Sequence, residues 1–233
     1  MDTRGDTPSL DELLTPPASF VREHYEAFLF TPFSRKLRRR VYLYTPNAYD
    51  LWVRLESNPL VVKYNERVTK LPISICEGVA KNGSPRAISV DNAREVTVHT
   101  FEDDVFRDEI SASGTLAWSN WARIRGFRHM IWNPHSLRSN PVELENLKRL
   151  LRFVSVPGVV PNYSLEQSLL AELRGVRRLT YAKLIELFPL SDPAEVAREI
   201  TRMIIDKKVF SDINRNPFSM ITEVSVHRGL ETE

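Results

Sequence analysis

The sequence predicts two folded parts: an α/β domain with a mixed sheet and flanking helices, then a smaller helical domain closed by a β-hairpin. Three observations carry this. A helical stretch at 47–57 leads into a β-branched run at 60–75 and two short strands around the turn DNAR at 91–94. The run VSVPGVVP, at 154–161, then interrupts all periodicity with two prolines and a glycine. Beyond it, three helical segments precede two more short strands.

Composition sets wide bounds. With 42% apolar and 27% charged residues among 233, the chain has the make-up of an ordinary globular protein. Its 32 basic and 30 acidic residues leave a net charge of +2, too near neutral to predict nucleic-acid binding on its own. Local charge runs must carry that inference. A lone cysteine, Cys76, rules out an internal disulfide framework or a cysteine-rich zinc site and suits a reducing cytosol. No apolar run approaches the ~20 residues of a membrane span, and MDTRGDTPSLDELL lacks a signal-peptide core. The expectation is a soluble cytoplasmic protein with no membrane partner.

Taken in order, Met1 to Ser19 reads as a flexible tail, although Ser9 and Glu12 in SLDELL have the spacing of a capping box. The first domain is expected over 20–156. FVREHYEAFLF, at 20–30, has helical spacing, and RKLRRR follows. Its cations Arg35, Lys36, Arg38, Arg39 and Arg40 are candidates for contact with DNA phosphates. NAYDLWVRLES puts Ala48, Leu51, Trp52 and Leu55 on one helical side, with Asn47 as its cap and Asn58-Pro59 as its stop. RAISV and EVTVHTF then flank a four-residue hairpin turn.

The acids Asp103, Asp104, Asp108 and Glu109 read as a solvated run. TLAWSNWARIRGFRHMIW, at 115–132, is expected to be an aromatic helix with Arg123, Arg125 and Arg128 on a basic outer face that could meet DNA. In NPVELENLKRLLRF, Asn140 and Pro141 open another helix.

The second domain is expected over 162–227. SLEQSLLAELRG carries Leu165, Leu169, Leu170 and Leu173 on one face and ends on Gly175. TYAKLIELFPL is short. In SDPAEVAREITRMIIDKK, Asp192 caps, Pro193 opens, and Val196, Ile200, Met203 and Ile204 form a stripe. Two strands around INRNP complete a winged-helix pattern, with Arg198, Arg202, Lys207 and Lys208 as the cations on its third helix and at that helix's end.

This order of parts resembles the TnsA-type subunit of Tn-seven-like heteromeric transposases, in which a restriction-endonuclease-like domain precedes a winged helix. AYDLWVRLESNPLVVKY, PVELENLKRLLRF and IIDKKVFSDINRNPFSMITEV carry the resemblance, which spans roughly residues 41–226. It implies a bacterial cytoplasmic protein. Its partners would be transposon-end DNA, a DDE-type transposase and an AAA+ ATPase regulator.

The departures bear on catalysis. Where active members of the family have a helix glutamate, this chain has Ala48. Ser89 stands at an aspartate position, and Thr97 and His99 stand where an acid or glutamine and a lysine are found. Magnesium needs hard carboxylate oxygens, and none of these four side chains supplies one. The resemblance therefore implies a pseudonuclease that needs no metal or other cofactor. Two alternatives remain open at this stage. One is a Mg²⁺-dependent endonuclease whose site has migrated to Asp50, Asp91 and Glu95, with Glu77 in reserve. The other is a winged-helix transcription regulator.

Overall fold

In the computed structural model, residues 8–16, 29–68, 87–101, 118–176 and 178–226 are described. The chain divides into two compact units, one over 1–55 and 60–139, the other over 140–233 together with Glu56–Pro59. The helix expected at 20–30, most of the second half of the long β-run, the NGSP turn, Cys76, Glu77 and the acidic run Asp103–Glu109 lie almost wholly outside the described residues.

The first unit is a mixed α/β fold. Its four-stranded sheet comprises β3 (Val61–Asn65), β4 (Ala87–Asp91), β5 (Val96–Phe101) and β6 (Arg128–Trp132), in the spatial order β3-β4-β5-β6. The first three strands are antiparallel neighbours, and β6 joins β5 in parallel. A small hairpin, β1 (Phe33–Ser34) with β2 (Arg39–Arg40), precedes the sheet. Strand alternation gives the sheet two different faces. Ile88, Val90, Val96 and Val98 form a core with Leu13, Leu14, Trp118, Trp121 and Ala122. Tyr64, Ala87, Ser89, Thr97 and His99 occupy the opposite face, on the side of α2 (Pro46–Ser57).

Local chemistry accounts for these elements, with three departures from expectation. The region read as a flexible tail contains α1 (Leu10–Leu14). The Ser9–Glu12 capping box is formed, and Leu13 and Leu14 are buried in the sheet core. Asn65 fastens this helix by donating to the Leu13 carbonyl at 2.7 Å. Helix α2 begins two residues earlier than expected: Thr45, not Asn47, caps it, its hydroxyl accepting from the Ala48 amide at 3.1 Å. The aromatic helix does not run to Trp132. It covers 118–124 (α3) and stops at Gly126, whose φ of 68° suits a residue without Cβ. The Gly126 amide donates to Arg123 and the Phe127 amide to Ala122, the double bond of a Schellman stop. The chain then continues as β6 and a short helix, α4 (Pro134–Leu137).

The second unit contains α5 (Pro141–Val154), α6 (Tyr163–Gly175), β7 (Leu179–Thr180), α7 (Tyr181–Glu186), α8 (Pro193–Ile205), β8 (Phe210–Ser211) and β9 (Glu223–Ser225). The strands lie in the order β7-β9-β8, both pairings antiparallel. Asn140 and Pro141 start α5 as expected, and Asp192 and Pro193 start α8.

Helix α5 falls in this unit, although the expected boundary at 156–162 assigned it to the first. Packing explains the difference. Leu144, Leu147, Leu150, Leu151 and Val154 bury a continuous stripe, worth on the order of 10 kcal/mol gross at about 2 kcal/mol per side chain. Asn146, only 2% exposed, adds a polar clamp. Its Nδ2 donates to the Ile213 and Asn216 carbonyls at 2.7 Å each, and its Oδ1 accepts from the Phe218 amide at 2.8 Å. The prolines and glycine of 154–161 mark a loop, not the end of a domain.

Asn146→Ala should leave three loop groups unpaired and destabilise the protein by roughly 2–4 kcal/mol, measured as a lowered urea midpoint. Asn146→Asp keeps the acceptor but sets a buried carboxylate oxygen against two carbonyls, and should destabilise at least as much.

Candidate functional site on the sheet face

Three of the four positions expected to be degenerate line up on the α2-facing side of the sheet. Ala87 pairs with His99 and Ser89 with Thr97 across the β4–β5 ladder. Alternation therefore places Ser89, Thr97 and His99 on one surface. Ala48, from α2, lines a small pocket, with room for about one water, together with Leu43, Leu51, Trp52, Leu55, Tyr64, Glu66 and Ala87. The helix and the hairpin thus supply this side from both directions.

Its centre is a hydrogen-bonded chain. His99, 4% exposed, contacts Ser89 Oγ through Nε2 at 2.8 Å and accepts from Trp132 Nε1 through Nδ1 at 3.0 Å. An indole N–H can only donate, so Nδ1 must carry the lone pair. The neutral ring then holds its proton on Nε2 and donates it to Ser89. A nucleophilic serine would need the reverse polarity, with His99 taking the hydroxyl proton. Ser89–His99 is therefore a structural pair and not a nucleophile with its base. On the neighbouring strand, His129 bonds Thr100 Oγ1 at 2.9 Å through Nε2 and Ser119 Oγ at 2.7 Å through Nδ1.

Burial and the adjacent His129 lower the His99 pKa to about 4, and burial lowers that of His129 as well. His99 is consequently neutral at pH 7. It cannot replace a lysine whose role is to place positive charge beside a phosphate.

The acids of the migrated-site alternative have other employment. Asp50, 2% exposed on α2, accepts from Arg138 Nε at 2.8 Å, and the same guanidinium reaches Asn47 at 2.8 Å. Asp91 forms the hairpin turn, its Oδ1 accepting from the Ala93 and Glu95 amides at 2.9 Å each. Arg128 then lies 3.6 Å from Asp91 and is ion-paired with Glu95. Among the described residues, no three His, Cys, Asp or Glu side chains converge as metal ligands.

One acid that the sequence reading passed over does line the Ala48 pocket. Glu66 is held by both nitrogens of the Arg39 fork at 2.7 Å each. Trp132, His129, Ser119 and Arg138 were missed too. Their signals are weak: a two-residue alternation in RHMIW, and Gly126 as a helix stop ahead of it.

The cations proposed for DNA contact divide into two groups. Arg39 is bound to Glu66, Lys36 donates to the Leu55 carbonyl at 2.7 Å, and Arg35 is half-buried with partners of its own. Arg125 reaches the Pro8 carbonyl and lies over Trp121, while Arg128 serves Glu95. In the second unit Arg202 is partly buried and paired with Glu166, Glu199 and Asp206, and Lys208 also binds Glu166. Burial opposes the charge on Arg202, but Glu199 and Glu166 more than offset it and raise its pKa above the usual guanidinium value. Burial likewise opposes the charge on Glu166, and Lys208 and Arg202 outweigh it, so that carboxyl is held below its usual range. These side chains are structural ion pairs. Arg198 lies over the Phe153 ring. Arg38, Arg40, Arg123 and Lys207 remain exposed, although Arg40 also donates to the Thr31 carbonyl at 3.3 Å.

The buried His99 makes stability depend on pH with a definite sign. Its folded pKa of about 4 lies below an unfolded value near 6.5. Between those values the unfolded chain binds a proton that the folded chain refuses. The contribution of about 3 kcal/mol is therefore complete above pH ~6.5 and lost as pH falls to ~4. Urea unfolding across this window should show the decline. His99→Gln should flatten it, leaving the smaller share from His129. A scan of the sequence against protein-family models gives no match, and no curated protein matches it in sequence.

Proposed function

We propose that this chain is a non-catalytic, TnsA-like subunit of a DNA transposition complex. Its first unit would be a restriction-endonuclease-like pseudonuclease and its second a winged-helix domain. The observation that carries this reading is the Ser89–His99–Trp132 chain. It fills, with neutral and mutually satisfied side chains, the hairpin positions where a metal-dependent nuclease needs carboxylates and a lysine. Ala48, facing its pocket from α2, supplies no carboxylate either.

Support for the second half of the proposal is the order α6-β7-α7-α8-β8-β9 with its three-stranded sheet, which is the order expected of a winged helix. The sheet face would serve as a scaffold within the strand-transfer assembly. It would hold transposon-end DNA or pack on a DDE-type transposase, and the second unit would meet DNA or an AAA+ regulator. Among the described residues no helix is long and apolar enough to cross a membrane. An element using such a subunit would leave the donor 5′ strands uncut, keep its donor attached and form cointegrates.

Calorimetric titration with Mg²⁺ and Mn²⁺, run beside a nicking assay on transposon-end DNA, tests this directly. The expected result is no saturable heat and no nicks. Metal-dependent nicking abolished by Asp91→Ala or Glu95→Ala, with DNA binding intact, would establish the endonuclease instead.

A further inference from the structure

Helix α5 presents a surface that the expected recognition helix does not. Its buried stripe and the Asn146 clamp fix one side to the rest of the second unit. The opposite side carries Glu145, Lys148, Arg149, Arg152 and Phe153, which fall within about 140° of arc at 100° per residue. Arg149 and Arg152 are exposed and take no acidic partner among the described residues. The one carboxylate on this side, Glu145, is engaged by Lys148 at 2.7 Å.

A second helix adds to the same edge. The Arg198 guanidinium from α8 lies 5.8 Å from the centroid of the Phe153 ring, which is 41% exposed. Arg198 Nε is buried without a hydrogen-bond partner. Positive charge from two helices therefore gathers along the ridge that holds Phe153. The helix dipole explains a cation at Arg152, in the last turn. It explains neither Arg149 nor an arginine brought in from another helix.

We propose that the outer face of α5, through Arg149 and Arg152, together with Arg198 of α8, is a docking surface for the phosphate backbone of duplex DNA. Guanidinium forks match phosphate oxygens two at a time, and two such forks one helical turn apart suit a regularly spaced polyanion. An interface for a folded protein would instead centre on packed apolar anchors with few charges, and this ridge offers only Phe153. Helix α8 itself is unsuited to enter a groove. Val196, Glu199, Ile200, Thr201, Met203, Ile204 and Ile205 are buried, and Arg202 is committed to carboxylates. DNA contact therefore passes to the helix that covers it. This inference rests on the DNA-contacting part of the proposed function and is independent of transposition.

The test is fluorescence anisotropy of the full chain on a labelled mixed-sequence duplex, across roughly 50 to 200 mM salt. Arg149→Ala/Arg152→Ala, at exposed positions, should keep the wild-type melting temperature. It should weaken binding by about tenfold at the middle of that range and reduce the salt slope by about 2. Adding Arg198→Ala should lower the slope by about 1 more. Unchanged affinity and slope in both variants would overturn the assignment while leaving DNA binding elsewhere intact. Wild-type chain that binds no duplex would overturn it together with the DNA-contacting part of the proposed function. Polyglutamate competing as well as DNA, at equal charge, would reassign the surface to an acidic protein and overturn it too.

Discussion

The hydrogen bond from the Trp132 indole to His99 Nδ1 decides what the sheet face can do. It fixes the tautomer of a buried ring, and the tautomer fixes the direction of the bond to Ser89. Protonating His99 would set two N–H groups against each other in a buried site. The ring therefore stays neutral, and the face gains a rigid polar pair in place of a charge. A metal centre depends on the opposite qualities: anionic oxygen donors, a cation near the phosphate, and room for water. None of these can be had from Ser89, Thr97 and His99 without rebuilding the chain that joins β4, β5 and β6.

The fate of the arginines follows a similar logic. A run such as RKLRRR invites a reading as a phosphate-binding arm, yet Arg39 spends its fork on Glu66, which would otherwise line the pocket as a lone carboxylate. In the second unit Arg202 and Lys208 neutralise Glu166, which is 3% exposed. Removing one partner from such a buried pair leaves a charge without compensation, a larger loss than the pair is worth when whole. The surface charge that remains for a partner is thus a smaller set than the sequence suggests, and part of it sits on α5.

What could be read from the sequence was local. The β4–β5 hairpin was legible because alternating strands flank DNAR. The starts of α5 and α8 were legible because an asparagine or aspartate followed by proline satisfies the first amides of a helix. Misreadings arose where distant contacts decided the outcome. RHMIW looked like the end of an aromatic helix, but Gly126 stops that helix and parallel pairing with β5 makes a strand of it. Arg39 and Glu66 lie 27 residues apart, and nothing in either neighbourhood announces the pair. The prolines after α5 resembled a linker, while the helix's membership was set by Asn146 reaching a loop some 70 residues away. The candidate positions themselves were found from a resemblance. Their mutual satisfaction, and above all the part played by Trp132, required the fold.

The state of the His99 ring bears most directly on this account, and nitrogen-15 NMR of the imidazole resonances reads it. A neutral ring protonated on Nε2 at pH 7, with resonances left sharp by added Mn²⁺, is the predicted result. An imidazolium at pH 7, or selective broadening of His99 by Mn²⁺, would mean that the sheet face carries charge or metal and would contradict the account.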